Sequence, residues 1–356
     1  MTPPLTVLMS VHNGEAYLRE AIDSILCQTF RDFELLVIDD ASTDGTASIL
    51  ASYADPRLRV VRNESNRGLT ASLNIGLRLA RGELIARHDA DDRSHPSRFA
   101  LQIDFLNANP NVAVLGSAYR NFTGDGGRPT RIHPVCTTML GIRWQLLFGS
   151  PLAHSSVMFR RSVILDELGG YDETFAASQD FDLWSRASRK HVLANLREPL
   201  VELRVHPASI SSRRTLANLE MVRSVLRSNL VETLGEGDYE RWLDFWLTVN
   251  NPAAYGTILN PRSAKSDLRL LDRRFVALYP DAAGDAEIAA IFGAMLAQVA
   301  CSMARQDRAA AIDMYLSAIR RNAFAAVTLL PRFSAKLALG PLPLRRPRFF
   351  PGGQSL

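Results

Sequence analysis

The fold is decided by an apolar run that ends in a burst of carboxylates, Gly82-Glu83-Leu84-Ile85-Ala86-Arg87-His88-Asp89-Ala90-Asp91-Asp92. The run from Leu84 to Ala86 predicts a short buried strand. Carboxylates crowded past the end of a strand repel one another, and each raises its neighbours' pKa unless a cation neutralises them. Asp89 and Asp91 are two positions apart, so both can face one side and share a divalent ion through oxygen ligands. The alternative is a solvated acidic turn that caps a helix starting near Pro96.

Strands and helices alternate on both sides of this stretch. Apolar runs predict strands at residues 5–9, 33–38 and 58–61 before it, and at residues 112–115 after it. Helical stripes separate them, and Asn13 is the expected N-cap of the first helix. This alternation predicts an α/β fold built from parallel βαβ units, an open sheet with helices on both faces.

Four polar clusters follow the predicted strands, at residues 10–13, 39–44, 66–68 and 89–92. Ligands of open α/β sheets bind beyond the carboxyl ends of the strands, so the clusters predict one site at that edge. No Gly-x-Gly-x-x-Gly follows the first strand, and Gly-x-x-x-x-Gly-Lys-Ser/Thr occurs nowhere. That argues against a dinucleotide-binding dehydrogenase and a P-loop enzyme. A nucleotide bound here would be held by side chains and a metal.

Composition indicates a globular protein of more than one domain. The chain has 356 residues, 47% of them hydrophobic and 22% charged, and a mild net charge of +4. No basic patch interleaved with aromatic residues is present, so no nucleic-acid partner is predicted. The three cysteines have no zinc-type spacing, and idle thiols in a reducing compartment are the expectation. The first residues lead straight into a strand, so no signal peptide is expected.

The second half of the chain changes character. Residues 120–135 predict an irregular loop, residues 155–159 a strand and residues 160–168 a helix. After about residue 213 helices dominate, including an Ala-rich run at residues 288–304 that predicts a buried helix, with a membrane span as the alternative. We therefore predict a catalytic domain at residues 1–212, a helical region at 213–340 and a Pro/Arg-rich tail at 341–356. The tail is either frayed or a surface segment that touches anionic lipid.

The polar motifs, taken in order, resemble those of the inverting GT-A glycosyltransferases of family two, over residues 4–212. The order of several motifs is far more specific than any one alone. The motifs that carry the resemblance are Ser10-Val11-His12-Asn13-Gly14-Glu15, Asp39-Asp40-x-Ser42-x-Asp44-Gly45-Thr46, Asn66-Arg67-Gly68-Leu69, Asp89-Ala90-Asp91-Asp92, Gln179-Asp180-x-Asp182-Leu183-Trp184 and His206-Pro207-x-Ser209-Ile210-Ser211.

The resemblance implies a Rossmann-like, mostly parallel sheet that holds a nucleotide-diphosphate sugar and a divalent cation, Mn²⁺ or Mg²⁺. It makes Asp91 the direct metal ligand, with Asp89 acting through water, ribose or sugar and His206 as a further metal or diphosphate contact. The implied nucleotide contacts are Ser10, His12, Asn13, Asp39, Asp40, Arg67 and Ala90. His12 stands where the family often has an aromatic that stacks on the base.

Asp180 resembles the base of these inverting enzymes, which removes a proton from the acceptor hydroxyl. The family often places a Glu before it, and here Gln179 takes that position. The implied activity moves a sugar, from a UDP-sugar before a dTDP- or GDP-sugar, to a glycan or lipid-linked acceptor in the cytoplasm or at the inner face of the membrane. A nucleotidyltransferase and a non-catalytic nucleotide-sugar-binding protein are the alternatives. The oligomeric state is left open.

Overall fold

The computed structural model describes residues 3–124, 132–206, 216–237, 239–240, 242–243, 264–304, 307–327, 330–331 and 333–334. It divides into two compact units, Met1–Val225 and Leu226–Leu356. Residues 244–263 of the predicted helical region lie outside the described residues, as do the tail at 341–356 and the residues that follow His206 in its motif.

The described part of the first unit contains one sheet of nine strands. In chain order they are β1 (Leu5–Val11), β2 (Phe33–Asp39), β3 (Leu58–Arg62), β4 (Leu84–Arg87), β5 (Arg93–Ser94), β6 (Val112–Thr123), β7 (Ile132–His133), β8 (Met158–Arg160) and β9 (Val192–Val205). Their order across the sheet is β3-β2-β1-β4-β8-β6-β9-β5, with β7 beside β6.

The sheet is parallel in its first half and mixed in its second. β1 pairs in parallel with β2 and with β4, and β2 pairs in parallel with β3, as the alternation predicts. β8 then lies antiparallel between β4 and β6, whereas β6 and β9 run parallel. Because β4, β1 and β2 are neighbours, the loops that follow them meet at one edge.

Helices cover both faces of the parallel half. On one face Leu5, Val7 and Met9 of β1 belong to a buried cluster with residues of α1 (Leu18–Leu26) and α4 (Arg98–Ala108). On the other face α3 (Leu69–Leu79) packs so closely that a Cβ on Gly76 would lie 2.2 Å from Leu8 Cδ1. The remaining helices of this unit are α2 (Thr46–Ala51), α5 (Met139–Leu146), α6 (Gln179–Lys190) and α7 (Leu216–Leu234), the last of which runs past the unit's end.

Several local predictions are wrong. Asn13 does not cap the first helix, because α1 begins at Leu18 and the Asn13 side chain bonds to the loop after β2 instead. The loop predicted over residues 120–135 begins as the end of β6, which pairs with β9 as far as Thr123. Residues 154–156 form a 3₁₀ turn, so the strand predicted at 155–159 begins at Met158. The helix predicted at residues 160–168, in contrast, is present over residues 161–167, and Val163–Glu167 within it is π-helical.

The described part of the second unit is helical. It contains α8 (Ala264–Leu278), α9 (Ala286–Met303), α10 (Arg308–Arg321) and α11 (Ala323–Val327). By length and composition α9 is apolar enough to cross a membrane, with a mean hydropathy of 1.6, and 56% of it is buried within the protein. Core helices of soluble proteins pass the same test, so α9 is weak evidence for a span.

Candidate active site

The loops after β1 and β2 are tied to each other by short hydrogen bonds. His12 Nδ1 lies 2.8 Å from the carbonyl oxygen of Asp40, and the backbone N–H of Thr43 donates to Asn13 Oδ1 at 2.8 Å. Ser10 is buried near the end of β1, whereas His12 and Asn13 are exposed. The structure therefore brings the predicted nucleotide residues of both loops together around one exposed rim.

Asp40 is buried, and both of its carboxylate oxygens are engaged. Oδ1 accepts from Asn63 Nδ2 and from the backbone N–H of Arg67, each at 2.8 Å, and Oδ2 accepts from the N–H of Gly68 at 2.8 Å. These bonds fasten the loop after β3 to the end of β2. The Arg67 side chain itself is exposed at that loop.

Asp39 is also buried and also bonded. Its Oδ1 accepts from the N–H of Ser42 at 2.9 Å, and its Oδ2 forms an ion pair of 2.7 Å with Arg62, whose side chain is 50% exposed. Arg62 was not among the predicted site residues. Its partner is 23 positions away, and no local pattern marks it.

Asp89 lies after β4 with both carboxylate oxygens held by the protein. Arg87, whose side chain is fully buried, pairs with Oδ1, and Ser155 Oγ donates to Oδ2 at 2.6 Å. Burial alone would raise the pKa of Asp89, but the charge of Arg87, with help from His154 and Ser155, holds it well below its usual range. Asp89 is thus an ionised, fixed carboxylate.

Asp91 has a different environment from Asp89. Its Oδ2 lies 2.9 Å from His206 Nε2, and the two side chains are 28% and 18% exposed. Burial, and then the charge of Asp89, raise the pKa of Asp91 above its usual value, against the hydrogen bond from His206. Ala90 between the two aspartates is half-buried. The predicted pair of Asp91 and His206 therefore meets, although 115 positions separate the two residues.

Asp180 lies in the first turn of α6, on the same side of the sheet edge. Burial is the largest of the effects that raise the pKa of Asp180 to about 6, opposed by the backbone N–H groups of Phe181 and Asp180 itself. The charges of Asp89 and Arg87 also act on it, in opposite directions. A carboxyl with that pKa takes up and releases a proton near neutral pH. Asp182, one half-turn further, instead pairs with Arg186 at 2.8 Å.

A buried histidine and tyrosine lie beside these carboxylates. His154 Nε2 is 2.9 Å from the hydroxyl of Tyr171. Burial lowers the pKa of His154 well below its usual value, so this imidazole is neutral. Burial also raises the pKa of Tyr171, helped by the nearby charge of Asp180. The pair forms an uncharged wall next to the acidic groups.

Backbone strain is concentrated at the same edge. Among the described residues the non-glycine residues with positive φ are Asn13 (55°), Ala41 (56°) and Ser178 (61°). Asn13 follows β1, Ala41 follows β2 and Ser178 directly precedes α6 and Asp180. Left-handed conformations cost L-residues about 1–2 kcal/mol and persist where a site requires them. Their clustering is an observation separate from the carboxylates, and it favours a site at this edge.

Comparisons with known proteins decide the family. The sequence profile of Glycosyl transferase family 2 matches residues 6–167. An uncharacterized glycosyltransferase of Haemophilus influenzae is 31% identical over 252 residues, which cover 66% of this chain and 75% of that protein. The chain belongs to glycosyltransferase family 2. A Bacillus subtilis protein that carries the name glycosyltransferase EpsE is 37% identical over 208 residues, 57% of this chain and 73% of its own length.

Two solved structures share the fold of this family 2 chain. Residues 1–349 of S. aureus TarS, in complex with UDP-GlcNAc, align with a TM-score of 0.56 and 19% identity, covering 88% of this chain and 90% of that TarS fragment. The mannosyltransferase PcManGT of Pyrobaculum calidifontis, in complex with GDP-Man and Mn²⁺, aligns with a TM-score of 0.50 and 20% identity, covering 95% and 88%. The predicted GT-A-type α/β sheet followed by a helical C-terminal region is confirmed.

The side-chain donor atoms at this edge suit a divalent cation whose remaining ligands come from the substrate. Across the described ranges, no three His, Cys, Asp or Glu side chains come together as a metal cage. Both oxygens of Asp89 already have protein partners, which leaves Asp91 and His206 as the pair with the right chemistry. Mg²⁺-like ions are commonly bound through one or two protein groups plus phosphates and water. The residues present therefore fit a cation completed by a diphosphate.

The buried guanidinium of Arg87 was missed as a site residue. It lies at the end of β4 with no exposed surface, and its Nε and Nη1 have no partner within the part of the chain that the structure describes. The sequence signal that could have identified Arg87 as a site residue is an arginine at the end of an apolar run that predicts a buried strand. Its position beneath Asp89 explains why that carboxylate stays ionised.

Proposed function

We propose that this chain is an inverting, metal-dependent glycosyltransferase that moves a sugar from a nucleotide-diphosphate sugar to a glycan or lipid-linked acceptor in cell-surface polysaccharide synthesis. The observation that carries the proposal is the meeting of three differently tuned carboxylates at one edge: ionised Asp89, the Asp91–His206 pair and Asp180 with a pKa near 6. The ionisation or pairing of each carboxylate suits one requirement of the reaction.

The leaving diphosphate needs its charge neutralised. Asp91 and His206 would hold a divalent cation there, and such an ion stabilises developing negative charge without a proton transfer. His206 would bind the cation through Nε2, the atom that lies 2.9 Å from Asp91 Oδ2. The ionised Asp89, anchored by Arg87 and Ser155, is available to orient hydroxyl groups of the ribose or the sugar.

The nucleobase would lie over the loops after β1 and β2. His12 and Asn13 are exposed there, and Ser10, Asp39 and Asp40 lie beneath. Oδ2 of Asp40 and each oxygen of its neighbour Asp39 have one described protein partner, so each retains acceptor capacity toward a ring N–H. We favour a UDP-sugar, since TarS binds UDP-GlcNAc on the same fold. The GDP-mannose bound by PcManGT keeps a GDP-sugar as the alternative.

Asp180 would act as the general base. As the acceptor oxygen attacks the anomeric carbon, its proton passes to the Asp180 carboxylate and the diphosphate leaves from the opposite face, which inverts the configuration. A base with a pKa close to the working pH combines a large ionised fraction with enough basicity. Catalysis by a positioned base contributes about 10²–10⁴-fold. A purely binding protein has no need of such a group.

Calorimetric titration of UDP, dTDP, GDP and CDP, each with and without Mn²⁺ or Mg²⁺, tests the proposal. We expect one nucleotide to bind in a metal-dependent manner and Asp91→Ala to abolish the metal dependence. An Asp182→Ala variant is the matched control, because it removes a nearby carboxylate that pairs only with Arg186 among the described contacts. Failure of all four nucleotides to bind the folded wild-type protein would overturn the proposal.

A further inference from the structure

A second arginine, Arg204 in β9, hydrogen-bonds to the acidic loop that follows β4. Its guanidinium is 1% exposed, and each of its three nitrogens donates to a different segment. Nε donates to the carbonyl oxygen of Asp91 at 2.9 Å, Nη1 to the carbonyl of Gly124 at 2.6 Å, and Nη2 pairs with Glu20 of α1. The backbone N–H of Arg204 also donates to Asp92 Oδ1 at 2.8 Å.

Aromatic rings sandwich the same guanidinium. Its central carbon lies 4.2 Å from the ring centroid of Tyr17 and 4.3 Å from that of Phe122. The Tyr17 ring also contacts the imidazole of His206, with ring centroids 5.1 Å apart. Tyr17 directly precedes α1, so this ring joins the end of β9 to the segment that follows the β1 loop.

Four residues contact one another in a closed ring of contacts, which we call the circuit. Arg204 holds the backbone of Asp91, Asp91 bonds to His206, His206 packs on Tyr17, and Tyr17 packs on Arg204. The circuit ties down both side chains that would hold the cation, one through its main chain and the other through its ring. Arg204 itself is aimed at no substrate atom, since its nitrogens are all used in protein contacts.

We propose that Arg204 is a positioning residue that sets Asp91 and His206 at the distance a divalent cation requires. The proposal rests on the proposed function, because it concerns the same cation site. Supporting groups behind metal ligands typically change metal affinity by about 10–100-fold when they are replaced. Only a planar guanidinium has the three diverging donors that reach Asp91, Gly124 and Glu20 at once.

The test is the affinity for Mn²⁺ in the presence of UDP, followed by the electron paramagnetic resonance signal of free Mn²⁺. We expect Arg204→Met to weaken Mn²⁺ binding by about 10–100-fold. Arg204→Lys keeps the positive charge but lacks the diverging N–H donors of the guanidinium. We therefore expect a loss of Mn²⁺ affinity nearly as large. In a His206→Ala background, Arg204→Met should cost much less than in wild type, since the two residues act through one circuit.

Arg160→Met is the matched control. Arg160 donates to two backbone carbonyls, of Val112 at 3.0 Å and of Leu106 at 2.9 Å, away from the acidic loop. It should lower the unfolding midpoint without changing Mn²⁺ affinity. If Arg204→Met does not fold, Tyr17→Leu decides, because it removes the ring contact and leaves the hydrogen bonds of Arg204 in place.

Three outcomes distinguish a failure of the positioning role of Arg204 from a failure of the proposed function. Wild-type Mn²⁺ affinity in folded Arg204→Met or in Tyr17→Leu overturns the positioning role. Wild-type affinity in Arg204→Lys shows that charge alone is needed and overturns it as well. If the wild-type protein binds no Mn²⁺ with any of UDP, dTDP, GDP or CDP, the proposed function has failed, and Arg204 is then a purely structural clamp.

Discussion

Two acidic pairs lie at the same edge of one sheet, and the protein uses them in different ways. Asp39 and Asp40, after β2, are buried, and all four of their oxygens accept hydrogen bonds or ion pairs from nearby loops. After β4, Asp91 has a raised pKa, and its described side-chain contact is His206. Identical residue types thus fasten neighbouring loops in one case, whereas in the other Asp91 carries a single described side-chain contact at the proposed cation site. The partners of a carboxylate indicate its role better than its residue type does.

The largest expected effect is on the rate of sugar transfer, and it comes from a carboxylate outside both pairs, Asp180. Asp180→Asn should lower sugar transfer by about 10²–10⁴-fold and leave nucleotide binding unchanged, because it removes the proposed base and not the proposed donor site. A turnover assay beside a calorimetric titration measures both. Asp182→Asn, in the same turn of α6, should transfer at a rate close to wild type. Wild-type transfer by Asp180→Asn would show that another group takes the proton.

Asp180→Asn should also change the stability of the fold in a pH-dependent way, which can be measured without substrate. Because burial raises the pKa of Asp180 to about 6, its ionised form destabilises the fold above that pH. The penalty is complete above pH 6 and absent below the ordinary aspartate pKa of about 3.9. Asp180→Asn should therefore raise the melting temperature at pH 8 and leave it unchanged near pH 3.5. Equal shifts at both pH values would contradict the burial argument.

The next effect separates the two acidic pairs directly. Asp40→Ala leaves the donors of Asn63, Arg67 and Gly68 without their acceptor, which should cost about 2–5 kcal/mol of unfolding free energy. Asp91→Ala should change that free energy by less than about 1 kcal/mol, since its own charge is poorly solvated. Urea unfolding of both variants makes the comparison. Equal losses would mean that the two pairs serve the same structural role.

Transfer should also depend on pH through the base. With a pKa near 6, about half of Asp180 is ionised at pH 6 and roughly a tenth at pH 5, so the rate should fall about tenfold between pH 8 and pH 5. The measurement is single-turnover transfer at saturating donor and metal. A rate that stays flat down to pH 5 would place the pKa of the working base below that range.

The smallest effect tests strain after β2. Ala41 has a φ of 56°, a conformation that glycine adopts freely, so Ala41→Gly should stabilise the fold by roughly 0.5 kcal/mol after the entropy cost of glycine. Ala47→Gly, at an exposed position in α2, should instead destabilise it by about 1 kcal/mol. Differential scanning calorimetry of the two variants gives the sign. Destabilisation by Ala41→Gly would mean that the methyl group is needed for packing.

Local patterns were sufficient for much of this molecule. The period of apolar residues predicted the strands around Leu8, Leu36 and Ile85 and the helices between them, since each buries one face. Parallel strands align their carboxyl ends, so the sequence also predicted that the loops carrying Asp40 and Asp91 meet at one edge.

Two of the wrong predictions, those for Asn13 and for residues 120–135, share one cause, which is pairing between distant segments. Asn13 bonds across to Thr43 of the neighbouring loop instead of capping α1. β6 continues through a polar stretch to Thr123 because β9 supplies its hydrogen bonds. Arg204 and Glu20 are 184 positions apart, so neither gives a local sign of the other. Sequence periodicity reports on a residue's own helix or strand and carries no information about such partners.

The order in which the strands leave the ribosome has a consequence for how the enzyme matures. β9 is the last strand of the sheet, and it pairs both β6 and β5 before it delivers His206 to Asp91. The 115 residues between Asp91 and His206 take roughly 6–23 seconds to synthesise at about 5–20 residues per second. During that interval the nascent chain contains Asp91 and does not yet contain His206. Under the proposed function, the cation site is therefore complete only after β9 has been synthesised, and a chain that ends before β9 would contain Asp91 and Asp180 without His206.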